Sequence, residues 1–157
     1  MEGLWSENAL VRMRAADAAE KVTRENHELL RPFKSELLGL MAEATQQEVR
    51  WHLAAMVPRL ALNGRERELA IYFLNGYLSD RSSSVRTFAL QGLADLAEGD
   101  ASIRGSVIEV LREATRTGTA AMKARSRKLL VRLEKANAKS EPQRSRRKAE
   151  RAQRKAR

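Results

Sequence analysis

A short pattern that recurs about every 37 residues is the feature that most constrains the fold of this chain. Each copy has an apolar anchor residue followed by a basic one, with further apolar residues seven to eight and eleven positions on and, in the first three copies, four positions on. The anchors lie 38, 36 and 37 residues apart, at Val11, Val49, Val85 and Met122. Apolar residues at this spacing share one face of an α-helix, and such a period is typical of helical repeat arrays. We therefore expect a stack of paired helices.

The pattern predicts about seven helices, arranged as half a repeat followed by three helical hairpins. Two of the predicted helices span residues 26–44 and 46–62. Several of the helices follow a residue whose side chain can cap the first turn. The predicted caps are Ser6 or Asn8, Thr45 in a capping box with Glu48, Asn63 with Glu66, and Thr119.

The composition favours an all-helical chain and excludes several kinds of chemistry. Only three prolines and eight glycines occur in 157 residues, and a hydrophobic content of 43% is enough for one continuous core. The absence of cysteine excludes disulfides and thiolate metal sites. The first residues lack the pattern of an export signal, and no apolar run approaches the ~20 residues of a membrane span. We therefore expect a cytoplasmic chain that uses no membrane, metal or cofactor.

The net charge of +10 is concentrated near the C-terminus. Nine Lys/Arg and two Glu lie between Lys139 and Arg157, so this segment carries +7. No apolar stripe continues beyond about residue 136, which predicts a repeat domain over 1–136 and a disordered basic tail over 137–157. Such a tail suits RNA, DNA or an acidic protein surface, or it serves only as a solubilising terminus. Its candidate phosphate contacts are Arg144, Arg146, Arg147 and Lys148.

The third unit resembles the second helix of a HEAT repeat. The residues that carry the resemblance are Leu78-Ser79-Asp80, Val85-Arg86, Ala89, Leu90 and Leu93. The resemblance implies an armadillo-type, right-handed α–α superhelix whose second helices line a concave groove, and it covers about residues 6–135. A fold of this class does not by itself define a function.

The resemblance also implies a ladder between neighbouring units, built by an aspartate before the anchor and a basic residue after it. The basic position is filled in every unit, whereas the aspartate position holds a carboxylate only in the third. The predicted ladder residues are Arg12, Arg50, Arg86, Lys123 and Asp80. Alternatively, the guanidinium groups are free to bind an acidic ligand.

Helical geometry places positions two, six, nine and thirteen after each anchor opposite the core, on the concave side. In the second unit these positions are apolar, which predicts a protein-binding patch centred on a tryptophan. The predicted groove residues are Trp51, Ala55, Pro58, Leu62, Met13 and Gln91. Two alternatives are that Trp51 packs sideways on a neighbouring unit, or that Pro58 bends the helix and buries the patch.

Positions three and ten form one flank of this groove and are mostly basic. Such a row can follow a phosphate backbone or an acidic peptide, or it is a solvated rim. The candidate residues are Arg14, Lys21, His52, Arg59, Arg125 and Arg132.

An enzyme is not expected, because neither His27 nor His52 has the neighbours that a metal site or a general base needs. An alternative resemblance, to helical-repeat DNA glycosylases for alkylated bases, has little support because Ala55 stands where a carboxylate would accompany Trp51. The sequence thus favours a non-catalytic module that binds a protein or peptide segment in its groove. The main alternative is a nucleic-acid-associated protein that uses the basic tail and the arginine flank.

Overall fold

The computed structural model describes the backbone of residues 1–155 and the side chains of residues 1–138. This part of the chain is all-helical and contains no strand, which confirms the predicted fold class at that level. The seven α-helices are α1 (Ala9–Thr23), α2 (Lys34–Glu43), α3 (Gln47–Met56), α4 (Gly64–Tyr77), α5 (Ser83–Gly99), α6 (Arg104–Thr117) and α7 (Ala120–Lys155). Short 3-10 helices occur at Glu2–Trp5, His27–Phe33 and Val57–Arg59.

The odd-numbered helices pack on one another in chain order, α1 on α3, α3 on α5 and α5 on α7. The even-numbered helices pack against this row: α2 on α3, α4 on α5, and α6 on both α5 and α7. Large leucines fill the space between the helices. The fully buried ones include Leu37, Leu53, Leu74, Leu90, Leu93, Leu111 and Leu133.

Side-chain caps begin four of the helices. Asn8 Oδ1 accepts a hydrogen bond from Leu10 N at 2.9 Å, and Asn63 forms a complete capping box with Glu66 before α4. Ser82 caps α5, and Thr119 Oγ1 accepts from Met122 N at 3.4 Å. The capping box predicted at Thr45 is wrong, because the N-cap of α3 is Gln46 and no side chain caps it.

Two prolines shorten helices that the sequence predicts to be longer. The segment His27–Phe33 is a 3-10 helix that contains Pro32, and the α-helix begins only at Lys34. Likewise α3 ends at Met56, and Pro58 lies in the 3-10 turn that follows. Proline has no backbone N–H and its ring clashes with the preceding turn, so the α-helical hydrogen-bond pattern stops at these points.

Both ends of the part of the chain whose backbone is described are also helical. The 3-10 helix Glu2–Trp5 packs on α1 and buries Leu4 to 1% exposure, while Trp5 remains 45% exposed. At the other end α7 continues to Lys155, so the boundary predicted near residue 137 falls inside a helix. Although no apolar stripe continues there, the segment is rich in Ala, Arg, Lys, Glu and Gln, which have high intrinsic helix propensity.

Within the part of the chain that the structure describes, every helix is too short or too polar to span a membrane.

Candidate binding face

One side of α1, α3, α5 and α7 carries the residues that lie three, six and ten positions after each anchor, and we call this surface the open face. The predicted face consisted of positions two, six, nine and thirteen. Position nine does not face solvent in the first and third units, because Glu20 is 7% exposed and Ala94 is 0% exposed. Each interior helix is covered on both flanks as well as by its partner helix, so the surface left to solvent is narrow. At these positions Ala55 is buried and Arg59 lies in the 3-10 turn after α3. The open face consists of Arg14, Asp17, Lys21, His52, Arg59, Phe88, Gln91, Asp95, Arg125, Lys128 and Arg132.

The predicted apolar patch is largely covered. Ala55 and Leu62 are each only 8% exposed, so the prediction that they face solvent is wrong. Leu62 lies beyond the end of α3, where the helical register that predicted its position no longer applies. Trp51 is half-buried against the core, with its ring centroid 5.7 Å from that of His52. Met13 and Pro58 are also half-buried, so the indole is not surrounded by an open apolar patch.

Glu20 organises the seam between α1 and α3. Arg59 of the turn after α3 donates a charge-assisted hydrogen bond to the Glu20 carboxylate, and Arg24 donates another at 2.6 Å. Burial raises the pKa of Glu20, but the hydrogen bonds from Arg24 and Arg59 have a larger opposite effect and lower the pKa to about 2. The carboxylate therefore stays ionised and neutralises part of the predicted basic flank.

Two other members of the flank are also restrained at this seam. Lys21 forms an ion pair with Asp17 at 2.8 Å on the surface of α1. Burial lowers the pKa of His52, although Asp17 and Glu20 act in the opposite direction. His52 is therefore neutral at physiological pH and adds no positive charge to the open face.

A polar network joins α5 to α7. Arg132 forms ion pairs with Asp95 at 2.6 Å and with Glu98 at 3.5 Å. Arg125 donates to Gln91 Oε1 at 2.8 Å, and its guanidinium lies 5.9 Å from the centroid of the Phe88 ring. These contacts border a cleft of about 530 Å³ lined by Thr87, Gln91, Ala121, Ala124, Arg125, Lys128, Leu129 and Arg132.

Most of the predicted basic flank is therefore partnered, and two cations of the open face are not. Within residues 1–138, Arg14 on α1 and Lys128 on α7 are exposed and form no ion pair or side-chain hydrogen bond. The tail candidates Arg144, Arg146, Arg147 and Lys148 lie outside the residues whose side chains are described.

Hydrogen bonds of the predicted ladder join the first unit to the second and the second unit to the third. Arg50 Nη1 donates to Asp80 Oδ2 at 2.5 Å, and Arg50 Nε donates to the Ala44 carbonyl at 2.6 Å. Arg12 Nε donates to Gln46 Oε1 at 3.0 Å, so an amide replaces the expected aspartate. These guanidinium groups are therefore structural and are not free to bind a ligand.

The ladder stops after the third unit. Arg86 and Lys123 have no side-chain hydrogen bond or ion pair in the described part of the chain, and the buried Nε of Arg86 has no partner there. A hydroxyl pair, Ser83 Oγ to Thr119 Oγ1 at 2.7 Å, connects the third and fourth units instead.

The charge of the molecule is divided sharply between α7 and the rest. Helix α7 contains 14 Lys/Arg and three Glu, a net charge of +11. Residues 1–119 contain 15 Lys/Arg and 17 Asp/Glu, a net charge of −2. The excess positive charge is thus a property of one helix, whereas the sequence analysis assigned +7 of it to the tail and left +3 on the first 138 residues.

Sequence reasoning missed three residues that hold neighbouring units together. Glu20, Gln46 and Asp95 each bond to a basic residue in the neighbouring unit. A signal was present, because the partners occupy similar repeat positions: Asp95 and Arg132 are both ten residues after their anchors. Comparing the units pairwise, position by position, would have found these contacts.

No group of three or more His, Asp or Glu side chains is placed to hold a metal ion within the described residues. Comparison with protein-family models, with curated proteins and with solved structures gives no match to the chain. The resemblance to HEAT repeats therefore stays a prediction from the sequence motif.

Proposed function

We propose that this chain is a non-catalytic HEAT-type module, a right-handed superhelix of paired helices, that binds nucleic acid through the phosphate contacts of α7. The spacing of the polar contacts between helices supports the superhelix, because partners lie about one repeat apart, as expected when each unit contacts only its neighbours. The separations are 34 residues for Arg12–Gln46, 36 for Tyr77–Met41 and Ser83–Thr119, and 37 for Arg132–Asp95.

The observation that carries the proposed ligand is the charge division between α7 and the rest of the chain. A helix with a net charge of +11 beside a body of −2 attracts a polyanion to a single element. Nucleic acid is such a polyanion. Its phosphates are regularly spaced along the strand, and Lys/Arg side chains bind them with a gain in free energy from the release of counterions. Peptide binding in an apolar groove is less well supported, because Ala55 and Leu62 of the predicted patch around Trp51 are buried.

Salt dependence tests the proposal. We expect the full chain to bind a fluorescein-labelled 30-nucleotide probe at 50 mM salt, measured by anisotropy, and to lose roughly 10³- to 10⁵-fold in affinity by 200 mM. A chain that ends at residue 138 lacks nine Lys/Arg, so its salt slope should be much smaller. An unchanged slope after this truncation would show that the tail is not the binding element, and no binding at 50 mM would refute the function.

A second candidate function is capture of an acidic protein segment on the open face. It is favoured by the cleft of about 530 Å³ between α5 and α7, whose lining includes the unpaired Lys128 and the amide of Gln91. Affinity capture with and without nuclease separates the two functions. A protein that stays bound after nuclease treatment supports the second candidate, whereas loss of all captured material supports the first.

A further inference from the structure

We propose that α7 recognises double-helical rather than single-stranded nucleic acid, by contacts to phosphates and without base stacking. This inference rests on the proposed function and specifies the ligand. Its premise is that α7 offers positive charge along one helix and lacks the aromatic side chains that usually hold unpaired bases.

The solvent side of α7 combines cations with small side chains. Lys128 and Lys135 are exposed, have no carboxylate partner among residues 1–138, and lie two helical turns apart, about 10 Å along the axis. The exposed residues beside them include Ala121, Ala124 and Ala138. Because these side chains are short, the helix can approach a phosphate backbone closely while both ammonium groups reach phosphates.

Single strands are usually held by aromatic side chains on which successive bases stack. No Phe, Tyr or Trp occurs between residues 120 and 157. The aromatic ring nearest to α7 on the open face is Phe88, which is half-buried and lies beneath the Arg125 guanidinium. The described surface around α7 therefore gives an unpaired base no exposed aromatic ring on which to stack.

The charge density of a duplex matches this helix. A 36-residue helix is about 54 Å long, and because α5 and α6 cover one side of its first part, a duplex can meet that part only on its solvent side. A duplex carries one phosphate per ~1.7 Å of its axis, about twice the density of one strand. Cations fixed along a helix therefore meet more phosphates on a duplex.

The test compares four probes of 30 nucleotides or base pairs with the full chain: single-stranded DNA, single-stranded RNA, duplex DNA and duplex RNA. We expect anisotropy titrations at 100 mM salt to give at least about tenfold tighter binding to one or both duplexes than to either single strand. Equal or tighter binding to a single strand would overturn this inference and leave the proposed function intact. Binding to no probe at 50 mM would overturn both.

Point variants test whether α7 makes the contacts. Lys128→Ala and Lys135→Ala should each reduce the slope of log affinity against log salt by about one for the preferred duplex. Arg65→Ala is the matched control, because it removes one exposed, unpaired charge from α4 in the other layer, and we expect no change in slope. If Lys128→Ala and Lys135→Ala change the slope no more than Arg65→Ala does, this face of α7 does not contact the duplex.

Discussion

At the scale of single residues, Glu20 determines how the α1–α3 seam responds to acid. Its pKa is about 2 in the folded chain, against an ordinary value of 4.5. A lowered folded pKa stabilises the protein above pH 4.5, and this stabilisation is lost as the pH falls towards 2. We expect urea denaturation to show that Glu20 contributes about 2–3 kcal/mol to the free energy of unfolding at pH 6, and that most of this is lost by pH 2.5.

The variant Glu20→Gln isolates this contribution from that of the other carboxylates. It should lower the free energy of unfolding at pH 6 and make its decline in acid shallower than in the parent chain. Glu25→Gln is the control, because Glu25 is exposed near the same end of α1 and accepts no side-chain hydrogen bond in the described structure. Parallel pH profiles for the parent chain and Glu20→Gln would contradict this role.

Glu20 also shows what single-residue pattern reasoning could not supply. Its position in the repeat was predicted to face solvent, because the helical period alone separates a core side from an opposite side. The period contains no information about neighbours on the flanks. Burial of Glu20 depends on the ion pair with Arg59, 39 residues later, and such a partnership becomes visible only when two units are aligned side by side.

At the scale of helices, Gly92 permits the close packing of α5 on α3. A Cβ atom at this position would lie 2.7 Å from the Ala54 carbonyl oxygen and 3.1 Å from Leu74 Cδ2. Since backbone must move to relieve the first contact, we expect Gly92→Ala to lower the free energy of unfolding by about 1–3 kcal/mol. Gly76→Ala is the control, because nothing lies within 4 Å of its added Cβ; it should raise stability by up to about 1 kcal/mol.

The ladder makes a second prediction at this scale. Asp80 is nearly buried, and although burial raises its pKa, hydrogen bonds from Ser82 and Arg50 lower it below its ordinary value. Arg50→Ala should therefore cost about 2 kcal/mol. Arg86→Ala, at the equivalent position of the next unit, should cost less than about 1 kcal/mol, because Arg86 has no partner within residues 1–138. Equal losses in urea denaturation would mean that the Arg50–Asp80 pair adds nothing beyond packing.

The existence and order of the helices could be predicted because apolar spacing, caps and turn residues agree along most of the chain. The ends of the second and third helices could not be placed correctly, since a proline is acceptable in a first turn or at a bend and only packing decides which applies. The predicted binding patch failed for the same reason. Pro58 ends the α-helical register, and Leu62 then turns inwards to 8% exposure.

At the scale of the whole molecule, the described part combines a nearly neutral helical body with one strongly basic helix. The two parts are joined by Arg125 and Arg132, whose bonds to Gln91 and Asp95 tie the base of α7 to α5. The basic side chains of α7 therefore fall into two sets within residues 120–138. The arginines facing α5 are partnered, and the lysines on the solvent side are free within the described residues.

The proposed stacking also predicts how stability is distributed along the chain. Helix α5 contacts α3, α4, α6 and α7, and nine of its residues are buried, whereas α1 packs mainly on α3 and a short 3-10 helix and buries three. In an array whose units are held by their neighbours, an end unit opens at a lower free-energy cost than a central one. We expect hydrogen–deuterium exchange at pH 7 to label the amides of α1 at least tenfold faster than those of α5. Equal protection of the two helices would mean that the chain opens only as a whole, which a stack of semi-independent units does not do.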